Sequence, residues 1–182
     1  MYGPVSGPHS VDVAASASGT PLLSSIVLVA TTVLTGLAAG VIALYAHTIM
    51  PGLKKTDDRT FVGAFQSIDR AIINPWFMVT FFGALILIGV ACALHFGPDR
   101  RSMLPWLIAA FVLYLVTVII TMAVNVPLND AIKAAGDPSH INVAQVRAAF
   151  NESKWAAWNY VRTITSSGAF IILAGVLVAA KR

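Results

Sequence analysis

The sequence predicts an all-α integral membrane protein, an up-down bundle of four spanning helices with one or two extra interfacial helices in its long loops. Hydrophobic residues make up 57% of the 182 residues and charged residues only 11%, against about 25% charged residues in a typical soluble protein. Four stretches contain no Asp, Glu, Lys or Arg, namely residues 13–53, 71–98, 102–129 and 163–180. A membrane-spanning helix needs about 20 mostly apolar residues, so all four stretches qualify or nearly do.

Local signals place the spans in chain order. Residues 1–20, rich in Gly, Pro, Ser and Ala, predict a mobile tail, and residues 21–182 predict a single four-span transmembrane domain. The predicted spans run from about Pro21 to Met50, Asp69 to Phe96, Met103 to Val126 and Trp155 to Ala180. Asn74-Pro75 is expected to kink or reset the start of span two, and Pro127 to interrupt or end span three.

Loop lengths alternate along the chain. The turn at residues 97–101 is short, whereas the connections after spans one and three are long and include polar, helix-like segments. Because consecutive spans alternate in direction, the two long connections share one membrane face, where they are expected to cover a site. The chain is expected in the cell membrane. Lys54, Lys55 and Arg59 follow span one and no Lys or Arg precedes it, which favours cytoplasmic long loops. Four basic residues at the short-loop face favour the opposite orientation, which stays open: Arg100, Arg101, Lys181 and Arg182.

Composition also limits the partners. Lys and Arg are scattered rather than grouped into a basic patch, so nucleic acid is not an expected partner. The single cysteine, Cys92, cannot form an internal disulfide, and no zinc or iron–sulfur spacing occurs. Gly36-x-x-x-Gly40 predicts close helix packing and leaves open an oligomer formed through this face. The expected partners are the lipid bilayer and a hydrophobic small-molecule substrate.

Polar residues gather at the long-loop ends of the spans, and polar groups at membrane depth usually face a bundle interior or a functional pathway. Helical spacing aligns them into one stripe on each of spans one, three and four: Thr32, Gly36, Gly40, Ala43 and His47; Tyr114, Thr117, Thr121, Asn125 and Asn129; Trp155, Asn159, Arg162 and Ser166. The stripes predict a convergent polar set, His47, Asn125, Asn159 and Arg162. Arg162 is expected to pair with Asp69 or Asp130, because an unpaired charge at this depth is costly.

Two motifs give the chain a family resemblance. Asn125-Val-Pro-Leu-Asn129 closes span three, and Trp155-x-x-Trp158-Asn159-x-x-Arg162 opens span four. With these motifs, a Met50-Pro51 step, and Ile68-Asp69-Arg70 followed by Pro75, the chain resembles the anthrone oxygenase family of small four-span membrane proteins over about residues 22–178. The resemblance implies oxidation of polyketide anthrones to anthraquinones by molecular oxygen.

The chemistry of an anthrone suggests which residue types would act. Deprotonation gives an aromatic phenolate that can pass an electron directly to oxygen, so the reaction needs a base, an oxyanion stabiliser and a flat apolar slot. His47 is the expected base, and Arg162 with Asn125 and Asn159 the expected oxyanion site. The expected substrate-binding residues are Trp155, Trp158, Phe65, Asn129, Asn74 and Arg70. No cofactor is evident, molecular oxygen is the co-substrate, and a metal remains open.

Two other functions stay open from the sequence. The first is a non-enzymatic accessory subunit or small transporter whose polar cluster only ties helices together, although no inverted repeat supports transport. The second is a metal-dependent oxidase that uses His47 with Asp69 or Asp130, which metal analysis of the purified protein distinguishes. One histidine with Asn and Arg does not make an ordinary metal site.

Overall fold

The apolar stretches form long helices. A computed structural model describes residues 10–98 and 101–180, with side chains from residue 22 onward. The helices are α1 (Ser10–Leu44), α2 (Met50–Leu53), α3 (Asp58–Ile72), α4 (Pro75–Leu94), α5 (Leu104–Ile120), α6 (Val126–Ala134), α7 (Val143–Phe150) and α8 (Glu152–Ala179). Two five-residue π-helical turns, π1 (Tyr45–Ile49) and π2 (Thr121–Asn125), join α1 to α2 and α5 to α6.

Four helical stretches are long and apolar enough to cross a membrane: Leu22–Leu53, Pro75–Leu94, Leu104–Ala134 and Val143–Ala179. These are spans one to four. In the bundle they form, α1 packs against α4 and α8, and α5 also packs against α4 and α8. The predicted all-α, four-span membrane fold is confirmed, and the chain is a multi-pass membrane protein. The kind of membrane and the side on which the long loops lie stay predictions.

The predicted tail overlaps the first helix. Because α1 begins at Ser10, residues 10–20 are helical, and this segment contains several Ala residues, which have the highest helix propensity. Residues 1–9 lie outside the described residues, as do residues 99–100 of the short turn and the last two residues. The mobility of residues 1–20 stays a prediction.

Prolines explain both π turns. Pro51 follows π1 and Pro127 follows π2 at the same spacing, six residues after the first residue of the turn. A proline lacks an N–H, and its ring clashes with the carbonyl group four residues back. In both turns, the residue before the proline donates its N–H to the carbonyl five residues back, which widens the helix. Span three therefore continues through Pro127 to Ala134 instead of ending near Val126.

The start of span two is also clearer in the structure. The Asn74 side chain accepts the backbone N–H of Phe77 at 3.0 Å, which caps α4. Pro75 occupies the first turn, where its missing N–H has no cost. α3 and α4 are therefore separate helices, and α3 is one of the extra helices expected in the long loops.

α3 of the first long connection folds over one end of the bundle together with α6, at the end of span three, and α7, at the start of the span-four stretch. α3, α6 and α7 pack against one another and form what we call the long-loop cap. Arg147 of α7 fastens it, with ion pairs to Asp58 at 3.1 Å and Glu152 at 2.7 Å. Gln66 of α3 donates to the carbonyl of Ile132 in α6 at 2.7 Å. Three aromatic rings of the cap, Phe61, Phe65 and Phe150, form a cluster with Trp155 of α8.

The glycine motif of span one packs within the chain. A Cβ atom at Gly36 would lie 2.8 Å from the ring of Phe170 on α8, so a larger residue there would require this ring to shift. A Cβ atom at Gly40 would meet nothing within 4 Å. The close helix packing predicted for the motif thus exists at Gly36, between α1 and α8 of the same chain. An oligomer through the Gly36/Gly40 face stays a prediction.

Candidate active site

A partly open cavity of about 220 Å³ lies within the bundle, next to the long-loop cap. All four spans and α3 contribute to its walls. Most of the lining is apolar and includes Val41, Ile42, Ile72, Phe77, Phe81 and Val126. Its polar and charged lining residues include Tyr45, Asp69, Thr121, Asn129, Asp130, Lys133 and Arg162. A mostly apolar cavity with a few convergent polar groups is the usual form of a small-molecule site.

Arg162 is the central cation of this cavity. Arg162 is only 7% exposed. Its guanidinium donates hydrogen bonds to Thr121 Oγ1 at 3.1 Å and to Asn159 Oδ1. The guanidinium carbon lies 5.6 Å from the centre of the Trp155 ring. The Nε atom is buried without a hydrogen-bond partner. Arg162 is therefore held by neutral groups. Its positive charge is not neutralised by them, and its Nε donor remains free to bind a ligand.

The predicted ion pair of Arg162 is wrong. Among the side chains of residues 22–98 and 101–180, no carboxylate lies within 4 Å of its guanidinium. Lys133 takes both candidate carboxylates instead, with its Nζ 2.7 Å from Asp69 Oδ2 and 3.0 Å from Asp130 Oδ1. Sequence reasoning missed Lys133, although it continues the span-three stripe one turn beyond Asn129.

Asn129 connects the two sides of the cavity. Its amide nitrogen donates to Asp69 Oδ1 at 2.6 Å, and its amide oxygen accepts the indole N–H of Trp155 at 2.7 Å. Trp155 is 2% exposed, and its ring lies 5.8 Å from Tyr45 and 6.0 Å, edge on, from Phe65 between ring centres. Asn129 and Trp155 thus line the cavity as a bonded pair, whereas Phe65 supports Trp155 from the aromatic cluster without lining the cavity.

Asn125 and Asn159 are buried beside the cavity but do not line it. The Asn125 amide donates to the Trp155 carbonyl at 3.3 Å, and its buried Oδ1 has no partner. The Asn159 amide donates to the Ile42 carbonyl at 3.3 Å while its oxygen accepts from Arg162. Both asparagines tie spans together, and Asn159 also holds the guanidinium in place.

Four predicted site residues lie elsewhere. His47 is exposed, and its Nδ1 lies 2.6 Å from Thr48 Oγ1 on its own turn. Its predicted convergence with Arg162 is wrong, because the stripe on span one packs on α8 at Gly36 while Tyr45, two residues before His47, lines the cavity. The other three, Trp158, Asn74 and Arg70, also lie outside the lining: Trp158 and Arg70 are exposed, and Asn74 caps α4.

The side chains that the metal-dependent oxidase hypothesis requires as ligands do not come together. In the described ranges, no three His, Cys, Asp or Glu side chains come close enough to hold a metal ion. His47 is exposed and does not line the cavity, and Asp69 is bonded to Lys133 and Asn129. His47 therefore does not form a metal site with Asp69 or Asp130. The expectation of no evident cofactor stays a prediction.

Comparison with known proteins supplies the family. The anthrone oxygenase family model matches residues 76–172, more than half of the chain. The chain belongs to the anthrone oxygenase family. The matched segment contains both motifs noted in the sequence, Asn125 to Asn129 and Trp155 to Arg162. No curated protein and no solved structure matches the chain.

The family match covers only part of the cavity. Asn129, Lys133 and Arg162 lie inside the segment that matches the anthrone oxygenase model. Tyr45 and Asp69 precede it, although they line the same cavity. The site of this member of the anthrone oxygenase family is therefore completed by span one and α3.

Proposed function

We propose that this protein is a membrane oxygenase that oxidises a flat, hydrophobic carbon acid of the anthrone type with molecular oxygen in the cavity. The family membership supports the reaction class. The observation that carries the proposal is Arg162, a buried guanidinium at an apolar cavity with no carboxylate partner in the described part of the chain. Such a group favours a ligand that becomes negatively charged during the reaction.

The proposed reaction balances without a further reagent. A base removes a proton from the CH2 group of the substrate, which leaves an aromatic phenolate. The anion gives one electron to oxygen, and the resulting radical pair combines to form a C–O bond and a peroxide. The protonated base returns the first proton to the peroxide, which becomes a hydroperoxide. Removal of the second C–H proton then breaks the O–O bond, so the CH2 group becomes a carbonyl, and the hydroxide that leaves takes up this second proton as water. Overall, one anthrone and one O2 give one anthraquinone and one H2O.

Asp69 replaces His47 as the proposed base. It is the carboxylate at the cavity that is buried, and it is oriented by Lys133 at 2.7 Å and Asn129 at 2.6 Å. Arg162 is the proposed stabiliser of the phenolate oxygen. Proton transfer from the substrate to Asp69 would move a negative charge from the Lys133 side of the cavity to Arg162 without changing its net charge. A site that is already arranged for the charge after transfer lowers the barrier.

The remaining residues have supporting roles in the proposal. Trp155, Phe77 and Phe81 form flat or apolar walls for a polycyclic substrate. Asn159 and Thr121 position the guanidinium of Arg162. Asn125 ties span three to Trp155. Phe65 and the rest of the aromatic cluster support Trp155 from behind.

The direct test is oxygen uptake by the purified protein in lipid vesicles with emodin anthrone as substrate. A heat-treated sample is the control, because anthrones also oxidise spontaneously. We expect acceleration over the control, one anthraquinone formed per oxygen consumed, and no effect of a chelator. Inhibition by a chelator that added metal reverses would favour the metal-dependent alternative. No acceleration would count against anthrone oxidation and favour a different substrate or the non-enzymatic role.

A further inference from the structure

The cavity lies between two spans that separate from each other. One wall is α4, with Phe77, Phe81 and Phe82, and the opposite wall is formed by π2 and α6. α4 packs against α5 but makes no substantial contact with π2 or α6. The back of the cavity is closed by spans one and four, which contribute Ile42 and Trp155. The bundle is therefore open at the cavity between α4 and π2.

The side chains at this opening are apolar and exposed. Phe82 of α4 is 38% exposed and Met122 of π2 is 52% exposed, and both line the cavity. Both belong to candidate membrane spans, where the surrounding medium is lipid. Val126, one turn after Met122, continues the same apolar wall and is half-buried, whereas Met122 is exposed. By contrast, the opposite end of the wall is polar, and Lys133 there bonds to Asp69 and Asp130.

We infer that the cavity opens sideways into the hydrocarbon of the bilayer, through a portal between α4 and π2 with Phe82 and Met122 at its rim. Its ligands are flat apolar molecules that dissolve in the bilayer and enter without crossing water. Lipid tails are as apolar as these side chains, so an opening lined in this way needs no polar gate. The portal concerns access to the cavity and does not depend on the oxygenation chemistry.

Trp155 reports on this route because it lies at the back of the cavity and is almost fully buried. Replacing the three exposed tryptophans by phenylalanine leaves it as the single tryptophan, which is excited selectively over tyrosine; the three are Trp76, Trp106 and Trp158. The protein is reconstituted in phosphatidylcholine vesicles. Iodobenzene, an aromatic contact quencher, is dissolved in the bilayer, and iodide serves as the quencher in water.

Val126→Phe places a ring across the inner part of the portal, and Val79→Phe is the matched control. Val79 is also on a span, but it is 64% exposed and does not line the cavity. Circular dichroism checks the fold of each variant. If Val126→Phe fails to fold, Met122→Phe narrows the rim instead.

We expect iodobenzene to quench Trp155 strongly and iodide to quench it weakly. Val126→Phe should reduce the quenching constant of iodobenzene at least threefold, and Val79→Phe should leave it unchanged. Stronger quenching by iodide than by iodobenzene would overturn the inference and place the opening on the aqueous side. Equal quenching by iodobenzene in Val126→Phe and the parent would overturn the portal between α4 and π2. Neither readout depends on turnover, so the result is independent of the proposed oxygenase activity.

Discussion

Tyr45 and Thr121 occupy equivalent positions on spans one and three. Each is the first residue of a π-helical turn, each lies six residues before a proline, and both line the cavity. Thr121 also accepts a hydrogen bond from Arg162. π-helical turns are rare and occur frequently at functional sites. Two prolines thus set the helical phase of two cavity residues from outside the cavity.

Replacing Pro127 by alanine should lower the activity without lowering the stability of the protein. The alanine restores a backbone donor and removes the ring clash, so π2 can relax to an α-helix and rotate Thr121 away from Arg162. We expect an unchanged or higher thermal unfolding temperature and about a tenfold loss of oxygen uptake, or about 1.4 kcal/mol in the barrier. Pro105→Ala, in the first turn of α5, is the control and should keep its activity. Equal activities of the two variants would show that the π turn has no role in positioning.

The assignment of the base predicts a contrast between carboxylates and histidine. Asp69→Asn keeps the size of the side chain but removes the base, which typically lowers turnover by about 10²–10⁴-fold. Asp130→Asn should have a small effect, because that side chain is 63% exposed. His47→Ala should retain activity, since His47 does not line the cavity. Initial rates of oxygen uptake test all three variants. Loss of activity in His47→Ala alone would show that the base is His47 and not Asp69.

Asn129→Leu should destabilise the protein. The leucine leaves the buried indole N–H of Trp155 without its acceptor, and an unsatisfied buried donor costs about 1–3 kcal/mol. It also removes a hydrogen bond to Asp69, so turnover should fall as well. Thermal unfolding in detergent measures the first effect and oxygen uptake the second. Asn129→Gln, which keeps both functional groups, is the control, and it should recover part of each loss; a leucine variant as stable as the parent would contradict the role of Asn129.

The two glycines of span one should respond differently to alanine. Gly36→Ala places a methyl group 2.8 Å from the Phe170 ring, and overpacking of this kind costs about 1–3 kcal/mol. Gly40→Ala meets nothing within 4 Å and should be neutral or slightly stabilising, because alanine favours helix. Thermal unfolding compares the pair. Phe170→Ala should relieve the cost of Gly36→Ala in the double variant, and equal stability of the two single variants would contradict the packing of Gly36 on Phe170.

Sequence periodicity predicted the spans and two of the polar faces. Tyr114, Thr117 and Asn125 on span three are buried as their spacing indicates, and so are Asn159 and Arg162 on span four. Along most of the length of these helices, residues three or four positions apart stay on the same face. The stripe on span one did not reach the cavity, because small residues served packing at Gly36 rather than lining a site.

The remaining parts of the site depend on long-range contacts that spacing within a helix does not contain. Asp69 reaches Lys133 across 64 positions of sequence only because α3 and α6 pack together in the long-loop cap. Helical phase alone also could not indicate that Lys133, with its long flexible side chain, takes the carboxylates expected for Arg162. The π turns were recognisable only in part, since Pro51 and Pro127 indicated a break in the helix rather than a wider turn that continues it.

Arg162→Gln, compared with Arg70→Gln, tests the central claim most directly. Both changes remove a guanidinium, but Arg70 is exposed and outside the cavity, whereas Arg162 is buried at its wall. The measurement is anthrone-dependent oxygen uptake in vesicles, with circular dichroism to confirm the fold. If Arg162 stabilises the phenolate, Arg162→Gln loses about 10²–10³-fold in rate and Arg70→Gln keeps the parent rate. A folded Arg162→Gln protein with the parent rate would contradict the account.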